Sequence, residues 1–386
     1  MSTPGAAATL ANWRTAPFSR QAFRNIAGLM QTATIPSDTG HPARWQTALK
    51  PLQDFKLPLP GGESLGLEDF LRRTRTDGFL VIADGQVAFE WLDEGMQADT
   101  PHILMSATKS VVGLLCGVLT AQGTLDVDAL ASHYVPEIAH TGFAGATVRQ
   151  LMDMRTDPGL EAVDLKRYAA ATGWEPAPAE GRATGLHRFF VDLPARRTTH
   201  GGVFRYISAN TDLLGWVIER ATGRSLAESI GQHLWKPMGA QHPGAITLDF
   251  EGAPRATGGL CATLRDFARV GQLVVDGGTH SGKQVVPSAW IDDIAEHGDR
   301  DAWAQGEFAQ AFGRMPMHYR SGWYVVDNAP QTLFAMGIHG QHLFVDRAHR
   351  LVIAKLSSQA QPLDAEATGL TLRALGELRR LLATAA

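Results

Sequence analysis

The stretch "HILMSATKSVVGLLCGVLTAQG" (102–123) limits the fold more than any other part of the chain. From Ser110 to Leu119 nearly every side chain is apolar or small, so a helix here has to be covered on all sides. Such a helix belongs between layers of structure and not on a surface. Yet Lys109 stands at its start, where a buried ammonium is costly unless its pKa falls or a partner meets it. Ser106 lies three residues earlier, and at that spacing the two side chains share one helix face. A serine hydroxyl becomes a nucleophile when a neighbour accepts its proton. A lysine can be that neighbour once burial and the positive end of a helix have depressed its pKa. The free N–H groups of the same first turn favour an oxyanion. The plain alternative is that S-x-x-K arises by chance and that a first-turn lysine reaches back to water.

The wider composition narrows the partners. The chain has 386 residues, 44% of them hydrophobic and 19% charged, enough for a sizeable core. Lysine plus arginine (35) nearly balance aspartate plus glutamate (39), and no basic run is interleaved with aromatics. Nucleic acid and anionic membranes are therefore not expected partners. The N-terminal "MSTPGAAATLANWRTAPFSR" has no charged segment followed by a long apolar one, and no later run is long enough to span a membrane. The expected location is cytoplasmic. Cys116 and Cys261 are expected as free buried thiols. No CxxC or HExxH pattern is present, and "HGQH" (339–342), on an expected extended segment, lacks a third ligand, so neither metal nor cofactor is expected.

The order of signals suggests an α+β fold. A helix over Leu67–Arg73 leads into two strands, Phe79–Ala83 and Val87–Trp91, joined by the hairpin signal Asp84-Gly85. From 126 to about 250 the pattern is helix and loop, with a Pro, Ala and Gly-rich section near 156–185 and a helix from Asp212 to Ala221 stopped by Gly223. Strand signals return in "SGWYVVD", "LFAMGIHGQHLFVD" and "RLVIAKLSS", and the amphipathic "TGLTLRALGELRRLLATA" closes the chain. The expectation is an antiparallel sheet flanked by helices, built from 1–125 and 250–386, beside an all-helical lobe over 126–249.

Tyr206, in "FRYISANTDLLGWVIERATG", sits just before a helix that Ser208, Asn210 or Asp212 could cap, and by itself it reads as packing. Taken with Ser106-Ala107-Thr108-Lys109, with Tyr206-Ile207-Ser208 and with a late glycine-bearing strand, it resembles the serine β-lactamase and penicillin-binding superfamily. "GGLCATLRDFARVG", "GIHGQHLFVD" and "KLSS" extend the likeness, almost from "NWRTAPFSRQAF" onward, to 6-aminohexanoate-dimer (nylon-oligomer) hydrolases and related carboxylesterases.

The resemblance implies a β-lactamase-like fold in which Ser106 forms an acyl-enzyme. Lys109 assists the deprotonation that accompanies its attack and Tyr206 relays the proton to the leaving group, with either of the two open as the first proton acceptor. It places Ala335-Met336-Gly337 at the third motif, or His339-Gly340-Gln341 in a shifted register, and pairs the N–H groups of Ser106 and Ile338 as an oxyanion hole. Tyr168, Thr257, Trp323 and His339 are the implied pocket residues, His339 having a strand-buried alternative and Trp323 a core one. Ser208 and Ala335 stand where β-lactamases carry asparagine and lysine, so the cation that holds a drug carboxylate is missing. In "DPGLEAVDLKRYAAATGWEP" only Tyr168 and Asp164 approach the flap tyrosine and acidic residues of the nylon-oligomer hydrolases.

The expected function is a serine hydrolase, foremost a carboxylesterase on short acyl esters. The 6-aminohexanoate-dimer hydrolase is one alternative and an inactive binding protein of the same fold another. The expected partner is a small ester or amide, with a homodimer left open. A rival nucleophile elbow, Gly62-Glu63-Ser64-Leu65-Gly66, has two prolines where its strand should be and reads as a turn ahead of the Leu67 helix.

Overall fold

The computed structural model describes residues 7–38, 40, 43–177, 183–328 and 330–383; residues 178–182 of the Pro, Ala and Gly-rich section lie outside them. Its centre is an eight-stranded sheet in the order Met317–Arg320, Trp323–Val326, Thr332–Gly337, Gln341–Asp346, Leu351–Ser357, Thr76–Ala83, Gln86–Leu92 and Gln46–Thr47. Every neighbouring pair is antiparallel except the last, where Gln46–Thr47 runs parallel to Gln86–Leu92. The Asp84-Gly85 signal is a hairpin turn: both residues carry positive φ, 49° and 75°, which suits the twist of the two strands.

Side-chain alternation explains how the sheet is covered. Phe79 and Val81 face one way, packing with Phe344, Ile353 and the Leu370, Ala374 and Leu378 stripe of the C-terminal helix Ala365–Ala383. Leu80 and Ile82 face the other way, with Leu343, Val345 and Val352, against the helices Thr108–Ala121 and Leu264–Val275. Both faces are buried, which is why these strands read as nearly unbroken apolar runs.

The helix Thr108–Ala121 lies where its composition demands. Every residue from Thr108 to Leu119 is buried, with the sheet on one side and the helix Ser208–Thr222 among its other neighbours. Its approach to the sheet is close. A Cβ at Gly113 would fall 1.8 Å from the Ser321 carbonyl oxygen, so only glycine fits. The indole N–H groups of Trp323 and Trp290 donate to the Ser110 and Gly113 carbonyls at 3.1 and 3.0 Å and fix the helix against the sheet side and the helix Ser288–Glu296.

Besides their helices, the described residues of 126–249 carry one strand, Gly244–Thr247. With Thr32–Ile35, Leu260–Ala262 and His102–Ile103 it forms a second, four-stranded sheet. The helix expected over Asp212–Ala221 spans Ser208–Thr222 and ends on Gly223 in the left-handed conformation (φ 65°). The helix Leu67–Arg73 is present with the expected bounds. Ser64 lies in an exposed two-residue strand paired with Leu57–Pro58, followed by no elbow. Cys116 and Cys261 are free, and burial pushes both thiols up to about 12. No helix of the described residues is long and apolar enough to cross a membrane.

Candidate active site

Ser106 sits in a single 3-10 turn, Met105–Ala107, that runs into the buried helix. Met105 before it holds φ at 49°, a strained value for a side-chain-bearing residue that sets the angle at which Ser106 leaves the chain. Lys109, one helical turn on, is 2% exposed. Its Nζ donates to Ser106 Oγ at 3.1 Å and to the Thr257 carbonyl at 2.9 Å. The same nitrogen lies 4.9 Å from the centre of the Tyr206 ring. Burial lowers the Lys109 pKa, Tyr206 partly offsets that, and Arg255 lowers it further. The three residues expected to share one centre are therefore in contact around one amine.

Tyr206 is half-buried just ahead of the helix Ser208–Thr222. Its ring stacks on Phe308 at 5.1 Å, and its backbone N–H donates to Glu307 at 2.7 Å. None of the three candidate caps caps that helix. Asn210 accepts from Thr156 at 2.8 Å, and Asp212 turns inward to the site.

A cavity of about 220 Å³ opens over Ser106 and is lined also by Tyr168, Tyr206, Arg255, Thr257 and Ile338. The strand Thr332–Gly337 brings Ile338 here. A Cβ at Gly337 would come within 2.5 Å of the Leu104 oxygen and 3.0 Å of the Ser106 nitrogen, so the strand end lies directly on the turn that carries Ser106. Thr257 contributes its backbone: its N–H donates to Asp212 at 2.9 Å while its carbonyl accepts from Lys109.

Two expected pocket residues lie elsewhere. Trp323 is fully buried beneath the helix it bonds through Ser110, a core residue on the strand next to Thr332–Gly337. His339 follows Ile338, and at φ 61° in the strand turn its ring goes to the opposite side, against Phe23 at 5.2 Å, with Nδ1 2.7 Å from the Gln359 carbonyl. "HGQH" is thus a turn whose last two residues enter the strand Gln341–Asp346, and not one extended segment. Asp164 is buried as a helix-start group that accepts from the Glu161 N–H at 3.0 Å.

Sequence reasoning missed the far wall. Asp212 and Arg255 form a buried ion pair to which the Tyr168 hydroxyl also bonds. The Arg255 guanidinium lies between the rings of Tyr168 and Trp174, 5.0 and 5.1 Å from their centres. Arg14 and Glu175 pair at 3.4 Å at the mouth. No local pattern marks these residues, since Arg14, Trp174 and Arg255 meet only through tertiary packing.

Residues 67–377 match the description of the beta-lactamase family. The chain belongs to that family. It is a serine hydrolase of the family's fold, as the motif resemblance implied. It is 34% identical over 372 residues to the 6-aminohexanoate-dimer hydrolase of Paenarthrobacter ureafaciens, covering 93% of this chain and 91% of the relative. Over 172 residues (40% of this chain, 41% of the relative) it is 26% identical to esterase EstB of Burkholderia gladioli. Among solved structures, a Bacillus anthracis protein assigned as a 6-aminohexanoate-dimer hydrolase superposes with a TM-score of 0.87 at 26% identity, covering 99% of each chain. A family VIII carboxylesterase shares the fold at a TM-score of 0.58 and 18% identity, covering 79% of this chain and 92% of its own.

Proposed function

We propose that this member of the beta-lactamase family is a carboxylesterase that cleaves short acyl esters through an acyl-enzyme on Ser106. The observation that carries the reading is the 3.1 Å contact between Lys109 Nζ and Ser106 Oγ at the floor of a cavity of only about 220 Å³. In the proposed reaction the neutral Lys109 amine takes the serine proton as Oγ attacks the ester carbonyl. The N–H groups of Ser106 and Ile338 hold the oxyanion. Collapse breaks the bond to the alcohol oxygen, which receives the proton through Tyr206, and water then repeats the sequence on the acyl-serine.

A second reading, hydrolysis of the linear 6-aminohexanoate dimer, is favoured by the 34% identity over 372 residues. Amide cleavage asks more of the acid that protonates the leaving nitrogen. The flap-side tyrosine, Tyr168, donates its hydroxyl to Asp212 and accepts from Arg255, so that group is already engaged. Loss of one leaving-group hydrogen bond costs about tenfold to a hundredfold in rate.

The test is a panel of p-nitrophenyl acetate and butyrate, a cephalosporin and the linear dimer, together with intact mass after fluorophosphonate treatment. Clear ester turnover, a dimer rate lower by that factor, no cephalosporin turnover and one label on Ser106 are expected. Dimer hydrolysis as fast as ester hydrolysis would overturn the esterase assignment. A chain that takes no label and turns over no ester is instead a binding protein on the same fold.

A further inference from the structure

Lys109 can take a proton from Ser106 only if its amine points the right way. A neutral amine has two N–H groups and one lone pair, whereas a carbonyl oxygen only accepts. The Thr257 carbonyl, 2.9 Å from Lys109 Nζ, therefore takes an N–H and leaves the lone pair for the Ser106 hydroxyl at 3.1 Å. Whatever fixes that carbonyl also aims the amine.

Thr257 lies inside a tight turn, in which the Arg255 carbonyl accepts from the Gly258 and Gly259 N–H groups at 3.2 and 2.8 Å. Two bonds tie this turn to the start of the helix Ser208–Thr222. Thr257 Oγ1 donates to the Ser208 carbonyl at 2.9 Å, and the Thr257 N–H donates to Asp212 Oδ1 at 2.9 Å. The other oxygen of Asp212, Oδ2, accepts from Arg255 and from the Tyr168 hydroxyl. Asp212 and Arg255 are 3% and 7% exposed. A charge pair this deep seldom adds stability over apolar side chains of similar size, and an ion pair alone would not need Oδ1 on the backbone that holds the lysine.

Few other charges face the amine. Tyr206, just ahead of the same helix, favours the ammonium and Arg255 opposes it. Burial raises the hydroxyls of Tyr168, Tyr319 and Tyr324, which keeps them protonated. Glu307 is bonded to the Tyr206 N–H, and Arg14 pairs with Glu175 at the mouth. On the remaining helices packed against Thr108–Ala121, His233 meets Gln122 past the far end of that helix, while Glu219, Arg220 and Glu228 are bonded to Leu226, Glu137 and Ser225. The strand Thr332–Gly337 carries no charged side chain.

We propose that Asp212 and Arg255 are positioning residues for Lys109: Asp212, through the Thr257 backbone, aims the amine at Ser106, and Arg255 opposes a charge on that amine. The inference rests on Lys109 acting as the base.

The test is the pH profile of kcat/KM for p-nitrophenyl butyrate, which in the parent rises as Lys109 becomes neutral. Asp212→Asn keeps an acceptor for the Thr257 N–H but deletes a negative charge and leaves Arg255 uncompensated. The ammonium is then disfavoured, and the midpoint is expected about one pH unit lower. Arg255→Met removes the opposing cation, so its midpoint is expected higher by about the same amount. Asp212→Ala loses the acceptor as well, and its kcat should fall about tenfold below that of Asp212→Asn with KM near the parent's. Midpoints are read only from folded molecules, so partial unfolding lowers the amplitude without moving them. Where an unpaired charge prevents folding, the same tenfold difference is expected between Asp212→Asn and Asp212→Ala when each is combined with Arg255→Met, since neither pair leaves a charge unmatched. Midpoints that stay in place or move in the same direction overturn the inference, and so do equal kcat values for the Asn and Ala variants. A flat parent profile, or an active Lys109→Arg, instead removes Lys109 as the base, and the inference falls with it.

Discussion

Two buried lysines in the described residues hydrogen-bond a serine hydroxyl: Lys109 with Ser106, and Lys355 with Ser357 two residues along the strand Leu351–Ser357. Burial lowers both pKa values, Lys355 to about 7 against a partial offset from Asp77. By residue type and by the direction of the pKa shift the pairs are alike, but their surroundings differ. Ser106 is half-exposed to a cavity with the strand end of Gly337 laid on its turn, whereas Ser357 is wholly buried. Lys355 faces His342 across the ladder, and that ring, pushed down to about 3 by burial and the lysine, stays neutral. Asp77 is already shared among Arg24, Arg20 and His102, so it compensates Lys355 poorly. A Lys–Ser contact supplies a proton acceptor; access and an oxyanion site are what turn it into a reaction centre.

The sharpest way to break this contrast is to delete each hydroxyl. Ser106→Ala is expected to lower p-nitrophenyl butyrate hydrolysis by roughly 10⁴-fold or more, while Ser357→Ala and Ser64→Ala stay within severalfold of the parent. Comparable losses at Ser357 would mean that access does not distinguish the two pairs.

The lysines should separate next. Lys109→Arg is expected to cost about as much as Lys109→Ala, on the order of 10³-fold, because a guanidinium cannot give up its proton. In the parent, kcat/KM should rise with pH through a value below that of an ordinary lysine, as the amine becomes neutral. A flat profile, or an active Lys109→Arg, would reassign the base.

Lys355 should show itself in stability and not in rate. Its folded pKa of about 7 lies below the unfolded value of about 10.4, so between those values the unfolded chain binds more protons. The penalty for burying it is then complete below about pH 7 and fades as pH climbs toward 10. Relative to Lys355→Met, the parent is expected to gain at most about 1.4 kcal/mol per pH unit across that window, read from urea midpoints. Parallel curves for the two proteins would show that the lysine is charged when folded.

The smallest effect is expected at the far wall. Tyr168→Phe removes a hydroxyl from Asp212 and Arg255 but leaves their ion pair, so ester turnover should change only severalfold. A larger loss confined to the linear dimer would give Tyr168 a part in amide cleavage.

Ser106, Lys109 and Tyr206 were legible because local spacing or a long motif carries each of them, and the hairpin at Asp84-Gly85 because its turn chemistry is local. Trp323 and His339 were misplaced for a geometric reason. Each lies within a few residues of the site in sequence or sheet order, but strand alternation and the turn at His339 send the side chains elsewhere. Arg255 and Trp174 left no trace and Asp212 read only as a possible helix cap, since what makes them a wall is mutual burial between segments far apart in the chain.

The glycine contacts at 113 and 337 bear on how such a protein can diversify. Backbone meets backbone at the Ser106 turn and again about two turns along the helix that follows it, so the Ser106 hydroxyl is held by hard contact and a shift of even one methyl group has nowhere to go. Lineages that alter substrate choice are left with the far wall and the mouth, where Tyr168, Trp174, Arg14 and Glu175 can change without moving the floor. Conserved machinery and a variable rim would then follow from one steric fact, and a library randomised at the rim should keep folded, labelled enzyme far more often than one randomised along the seam.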